Sequence, residues 1–178
     1  MAKKLTEKSL IKKLNMMDEN ELKQILLELF KTSQTVQARF NLMFLEEEYG
    51  KTIVEKYKKR LLKIFNSRQG FSLEKAKAVL SEFEEMCGHT KWYGQLALYY
   101  ACLATEMTLS CGGMGQRFYD VLADAYHDAV EVVYEDEDLY HQWRKSLEFV
   151  LNVFLDFGWG MDDYIVNEYY SIPWVEEE

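Results

Sequence analysis

Apolar side chains recur every three or four residues along most of the chain, the period of a helix. No segment shows the strict alternation of a half-buried strand. Thr6 is placed to cap a short helix carrying Leu10, Ile11 and Leu14. Asp18-Glu19-Asn20-Glu21 then reads as a capping box, with Asp18 accepting from the backbone and Glu21 reaching back. Leu22, Ile25, Leu26, Leu29 and Phe30 follow on one face. Thr32-Ser33 permits a break before a third helix with Val36, Phe40, Met43 and Phe44. Ile53, Tyr57, Leu61 and Ile64 mark a fourth, which stops at Asn66–Gly70. Ser72 opens a fifth helix bearing Ala76, Val79, Leu80, Phe83 and Met86, closed by Gly88. Thr90 opens a sixth that runs to Cys111 and ends at Gly112-Gly113-Met114-Gly115. The seventh holds Phe118, Leu122, Ala125, Ala129 and Val132 and ends in the acidic turn Glu135–Asp138. The eighth carries Leu139, Trp143, Leu147, Val150 and Phe154 and closes at Phe157–Gly160, with a short last helix before Pro173.

Pro173 is the only proline in 178 residues, so nothing of that kind interrupts a helix earlier in the chain. A hydrophobic fraction of 48% with 15% aromatics supplies a packed core rather than a disordered chain. The expected fold is therefore all-α: one domain over residues 1–178, of eight or nine helices. Short connections imply antiparallel neighbours, in a bundle or a short stack of helical hairpins.

Charge divides the chain. Residues 1–70 hold 15 Lys/Arg against 9 Asp/Glu, a basic part of +6, and residues 71–178 hold 6 against 21, an acidic part of −15. Such halves attract, which can steer docking within the molecule or self-association, so a homo-oligomer stays open. Lysines crowd the first helix and the fourth (Lys51, Lys56, Lys58, Lys59, Lys63), mainly opposite the apolar stripes. A pI near 5.0 argues against a dedicated nucleic-acid binder. The lysine-rich start has no continuous apolar run behind it, and Trp92–Cys111 is too polar for a membrane span. Cys87, Cys102 and Cys111 are odd in number and sit in apolar settings, which points to a reducing, cytoplasmic compartment without a disulfide framework.

Several residues invite a chemical reading. Glu106 is the only charged side chain between Trp92 and Gln116, on a helix apolar nearly all round. Such a helix is normally central, and a carboxylate on it must be paired, hydrogen-bonded or protonated. Glu106, Tyr99, Tyr100 and Arg117 are the candidate pocket residues. Asp124-Ala125-Tyr126-His127 and Asp138-Leu139-Tyr140-His141 repeat an Asp-x-x-His spacing that metal-binding bundles use. At about 100° per residue, however, both histidines fall away from the apolar faces, so no enclosed metal site and no cofactor is expected. Gly112–Arg117 presents backbone amides and an arginine at a helix start, which suits an anion, yet glycines that close one helix and open the next account for it without a ligand. Cys87 and His89 lack an orienting acid and form no nucleophile pair by sequence. At the C-terminus Trp159, Asp162, Tyr169 and Trp174 combine aromatic anchors with acidic groups, as interfaces do, and form the candidate interaction surface; the competing reading folds those aromatics back onto the helical core.

The lysine-rich opening, the box at Asp18–Glu21, and Gly158-Trp159-Gly160 followed by Asp162 together resemble a family of uncharacterised bacterial all-helical proteins, a domain of unknown function. The resemblance spans most of the chain and implies a helical fold; it carries no catalytic residue, and the Cys111–Gly115 loop departs from its pattern. The expected role is a non-catalytic interaction or adaptor module that binds another protein. The alternatives are a small-molecule-binding protein or enzyme built around Glu106, and an acidic inhibitor that covers a basic partner with Asp120–Asp138.

Overall fold

The computed structural model describes residues 4–155, 157 and 160–175. Among these, every regular element is a helix: α1 (Glu7–Leu14), α2 (Glu19–Thr32), α3 (Gln34–Phe65), α4 (Leu73–Cys87), α5 (Lys91–Cys111), α6 (Gln116–Tyr134), α7 (Glu137–Phe154) and α8 (Met161–Tyr170). The all-α class read from the pattern is correct.

The starts follow the predicted chemistry. Thr6, Ser72 and Asp136 accept from the backbone N–H groups of Ser9, Lys75 and Leu139. The capping box of α2 is complete: Glu21 N–H donates to Asp18 at 2.9 Å, and Asp18 N–H donates to the Glu21 carboxylate at 3.0 Å. The predicted third and fourth helices follow one another within α3 as two helical segments joined at Glu46, whose backbone (φ 21°, ψ −92°) is not helical. The junction falls in the run Glu46-Glu47-Glu48, ahead of Gly50.

α5 is the hub. Twelve of its 21 residues are buried, and it packs on α3, α4, α6 and α7. One apolar core runs without interruption from Ala38 to Ile172. Two glycines let the helices come this close. A Cβ on Gly50 would lie 2.1 Å from the Trp92 indole, and one on Gly94 would lie 2.7 Å from a Val132 methyl. Early α5 thus lies beside late α6, with Tyr93 bonded to Asp128 and Gly94 against Val132. A polar clamp joins α3 to α4: Arg60 donates to both Glu82 oxygens at 2.8 and 2.6 Å, and Tyr57 donates to Glu82 at 2.6 Å. The Arg60 and Tyr57 bonds hold the Glu82 carboxyl down at about 2. Among the described residues no helix is long and apolar enough to cross a membrane.

Candidate functional site

A cleft of about 790 Å³ opens between the α4–α5 turn, the last turns of α6, and α8. His89 comes from the turn and lies edge-on to the Tyr93 ring, 5.7 Å between centroids, with Nε2 3.3 Å from a Glu84 oxygen. Tyr93, one turn into α5, donates to Asp128 Oδ2 at 2.9 Å. Burial and the neighbouring Asp128 charge push the Tyr93 hydroxyl far up, so it remains a donor. Burial also raises the Asp128 carboxyl above its usual range, against the lowering effect of the Tyr93 bond. One turn along α6, Glu131 stands on the same face. Ligand-type atoms of His89, Asp128 and Glu131 lie within 4.8 Å of one another.

His127 occupies the other side of the cleft. Its Nδ1 lies 2.8 Å from Glu168 on α8, and its Nε2 3.7 Å from Glu131. The Glu168 bond lifts the imidazole pKa, which partial burial opposes. A helical wheel for α6 sends His127 toward solvent, and it is indeed half-exposed. What the wheel omits is α8, which returns along that side and turns a solvated face into a wall. His89 is the cleft residue that sequence reasoning dismissed. Only the side-by-side pairing of early α5 with late α6 brings it to Asp128, 39 positions away in the sequence.

The side chains expected to line a pocket around Glu106 do not converge among the described residues. Glu106 is exposed, and so is Arg117 at the start of α6. Gln95, Tyr99, Cys102 and Glu106 make one stripe of α5 that its neighbours leave partly open. The inference of a central helix was right, but its single polar stripe is the uncovered one, so the carboxylate needs no buried partner. Tyr99 lies on that stripe, with the Lys58 ammonium 5.6 Å from its ring. Tyr100 is on the opposite, sealed side, and its hydroxyl is buried without a hydrogen-bond partner among the described residues. The four side chains thus face three different ways.

The C-terminal candidates divide. Tyr169 is buried, its hydroxyl 3.3 Å from that of Tyr140 and 3.2 Å from Glu148. Trp174 is part-buried and donates its indole N–H to the Val133 carbonyl at 2.9 Å. Both anchors are therefore spent on the molecule's own core, which corrects their assignment to an outward-facing surface. Asp162 is half-buried in the first turn of α8, and Trp159 lies outside the described residues. In the glycine loop after α5, Gly112 and Gly113 have positive φ and the Met114 N–H donates to the Tyr119 hydroxyl, so the loop satisfies part of its own backbone. Burial pushes the Cys87 thiol up to about 12 and the Cys102 thiol to about 11, leaving no thiolate at neutral pH.

A second surface was invisible to the helical pattern. Neither α1 nor α2 contains a buried residue. The predicted core positions Met43 and Phe44, just before the α3 junction, are 73% and 71% exposed. Phe30, Phe40 and Phe44 stack in sequence, with centroids 5.9 and 5.8 Å apart, and hold α2 to early α3. Leu26, Leu27 and Leu29 on α2, and Leu10 and Ile11 on α1, remain exposed. The N-terminal helices therefore form an arm with its apolar side uncovered.

No family model, no curated protein and no solved structure matches this chain.

Proposed function

We propose that the protein is a non-catalytic interaction module that engages another protein through the apolar side of its N-terminal arm. One observation carries this reading: α1 and α2 hold no fully buried residue, and Leu10, Ile11, Leu26, Leu29, Met43 and Phe44 stay exposed on amphipathic helices that would otherwise face a core. Burying a single Leu, Phe or Met is worth about 1.5–3 kcal/mol, so leaving several exposed forgoes a large stabilisation that a partner can recover. Exposed lysines and glutamates border the stripes (Lys8, Lys12, Glu19, Lys23, Glu28), as in the polar rim around an apolar interface. The shape suits a partner that offers an amphipathic helix of its own. Three free cysteines fit a reducing compartment, and the cytoplasm remains the proposed location.

The test is a paired capture experiment with the full chain and a Leu26→Glu/Phe44→Glu variant, both of whose sites are exposed, with circular dichroism to show that the variant is folded. The expected result is a protein held by the wild type and lost from the variant, while Glu106→Ala behaves as wild type. Light scattering of the purified chain separates a self-partner from a foreign one. A monomeric wild type whose captured proteins are all retained by the variant overturns the reading.

A different observation supports a second reading. Asp120, Asp124 and Glu131 on α6 and Glu135 at its C-cap are exposed four, seven and four residues apart, an acidic stripe suited to a basic partner. Binding by that stripe would weaken steeply with salt and survive the arm variant.

A further inference from the structure

We propose that His89, Asp128 and Glu131 form a binding site for a divalent transition-metal ion of the zinc type at the mouth of the cleft. The donor set is one imidazole nitrogen and two carboxylates, the combination zinc takes where three protein ligands leave a position open. The ligands come from two separate elements, the α4–α5 turn and successive turns of α6, so folding assembles them.

Distances are suitable. Metal bonds of about 2.0–2.2 Å place tetrahedral ligand atoms roughly 3.4 Å apart, and the three groups already lie within 4.8 Å of each other. His89 and Glu131 are exposed, and side-chain rotation away from their present neighbours Glu84 and His127 would close that gap. Asp128 is the fixed member, half-buried and held by the Tyr93 hydroxyl at 2.9 Å, the supporting bond that ligand carboxylates in metal sites receive.

Electrostatics points the same way. Asp128 forms no ion pair with a lysine or arginine among the described residues, although Glu131 stands one turn away. The lysine that lines the cleft, Lys91, is paired with Glu47. On the adjoining face Glu84 and Asp124 add negative charge, which Lys77 there offsets only in part. A bound cation would relieve this repulsion. On the far side, His127 directs Nδ1 to Glu168 and brings Nε2 to 3.7 Å from Glu131, the pairing that orients a histidine ligand in metal sites.

The test uses the full chain carrying Cys111→Ser, which removes the one exposed thiol. Zinc chloride is titrated by calorimetry, and cobalt(II) is followed by its visible absorption. Saturable binding of one ion per chain is expected. His89→Ala and Asp128→Asn should each weaken it at least tenfold, and Tyr93→Phe about tenfold as an outer-shell change. His141→Ala, which removes the exposed histidine of the second Asp-x-x-His, should leave binding unchanged. Circular dichroism establishes that each variant is folded. Absence of binding, or binding that survives both His89→Ala and Asp128→Asn, or binding lost equally with His141→Ala, overturns the proposal. The arm variant has no bearing on zinc, so failure here leaves the interaction reading standing.

Discussion

His127 shows how one side chain ties sequence-distant elements together. Its bond to Glu168 fastens α8 to α6, and Glu168, Glu131 and Asp128 all favour the imidazolium, while partial burial disfavours it. The folded pKa is therefore raised above the ordinary value of 6.5. A raised histidine pKa contributes stability that is fully present below the unfolded value and is lost as pH rises through the folded one. Wild type should thus lose more of its urea midpoint between pH 6 and 8 than His127→Gln does. His89 and His141 are present in both proteins and cancel in the difference. Parallel pH profiles for the two proteins would show that the Glu168 bond contributes nothing to stability.

Among the elements, the packing of α5 on α6 decides where the cleft residues stand. Gly94 permits it, because a Cβ there would meet the Val132 Cγ2 at 2.7 Å and its Cβ at 3.1 Å. The β-branched Val132 has little rotamer freedom within a helix, so the backbones must part. Gly94→Ala sets a helix-propensity gain of about 1 kcal/mol against an overpacking cost of about 1–3 kcal/mol. The expected outcome is net destabilisation of about 1 kcal/mol in denaturant unfolding. Zinc affinity should also fall, because the Tyr93–Asp128 bond spans the same contact one residue away. A variant more stable than wild type would mean that the helices yield freely at this crossing. This scale also shows what the sequence made legible. Helix starts are local chemistry, so Thr6, the Asp18–Glu21 box, Ser72 and the central α5 could be read directly. Which polar stripe is left uncovered depends on neighbours far along the chain. Glu106 therefore looked buried when it is exposed, and His127 looked solvated although α8 covers one side of it.

Taken as a whole molecule, the chain has two parts of unequal security. α5 lies at the centre of the continuous core, while α1 and α2 bury no residue at all. Amides open locally where few apolar contacts oppose them and only with global unfolding where many do. Native-state hydrogen exchange should therefore show α1 and α2 exchanging at least a hundredfold faster than α5. Protection of α1 and α2 equal to that of α5 would mean that the arm belongs to the core, and the docking surface would lose its premise. The same measurement separates the two proposed activities. Zinc should slow exchange in the α4–α5 turn and late α6, where His89, Asp128 and Glu131 lie, and leave the arm unchanged. A protein partner should do the reverse, ordering α1 and α2 and leaving late α6 as it was. A zinc effect confined to the arm would contradict the assigned ligands, since none of them is on it.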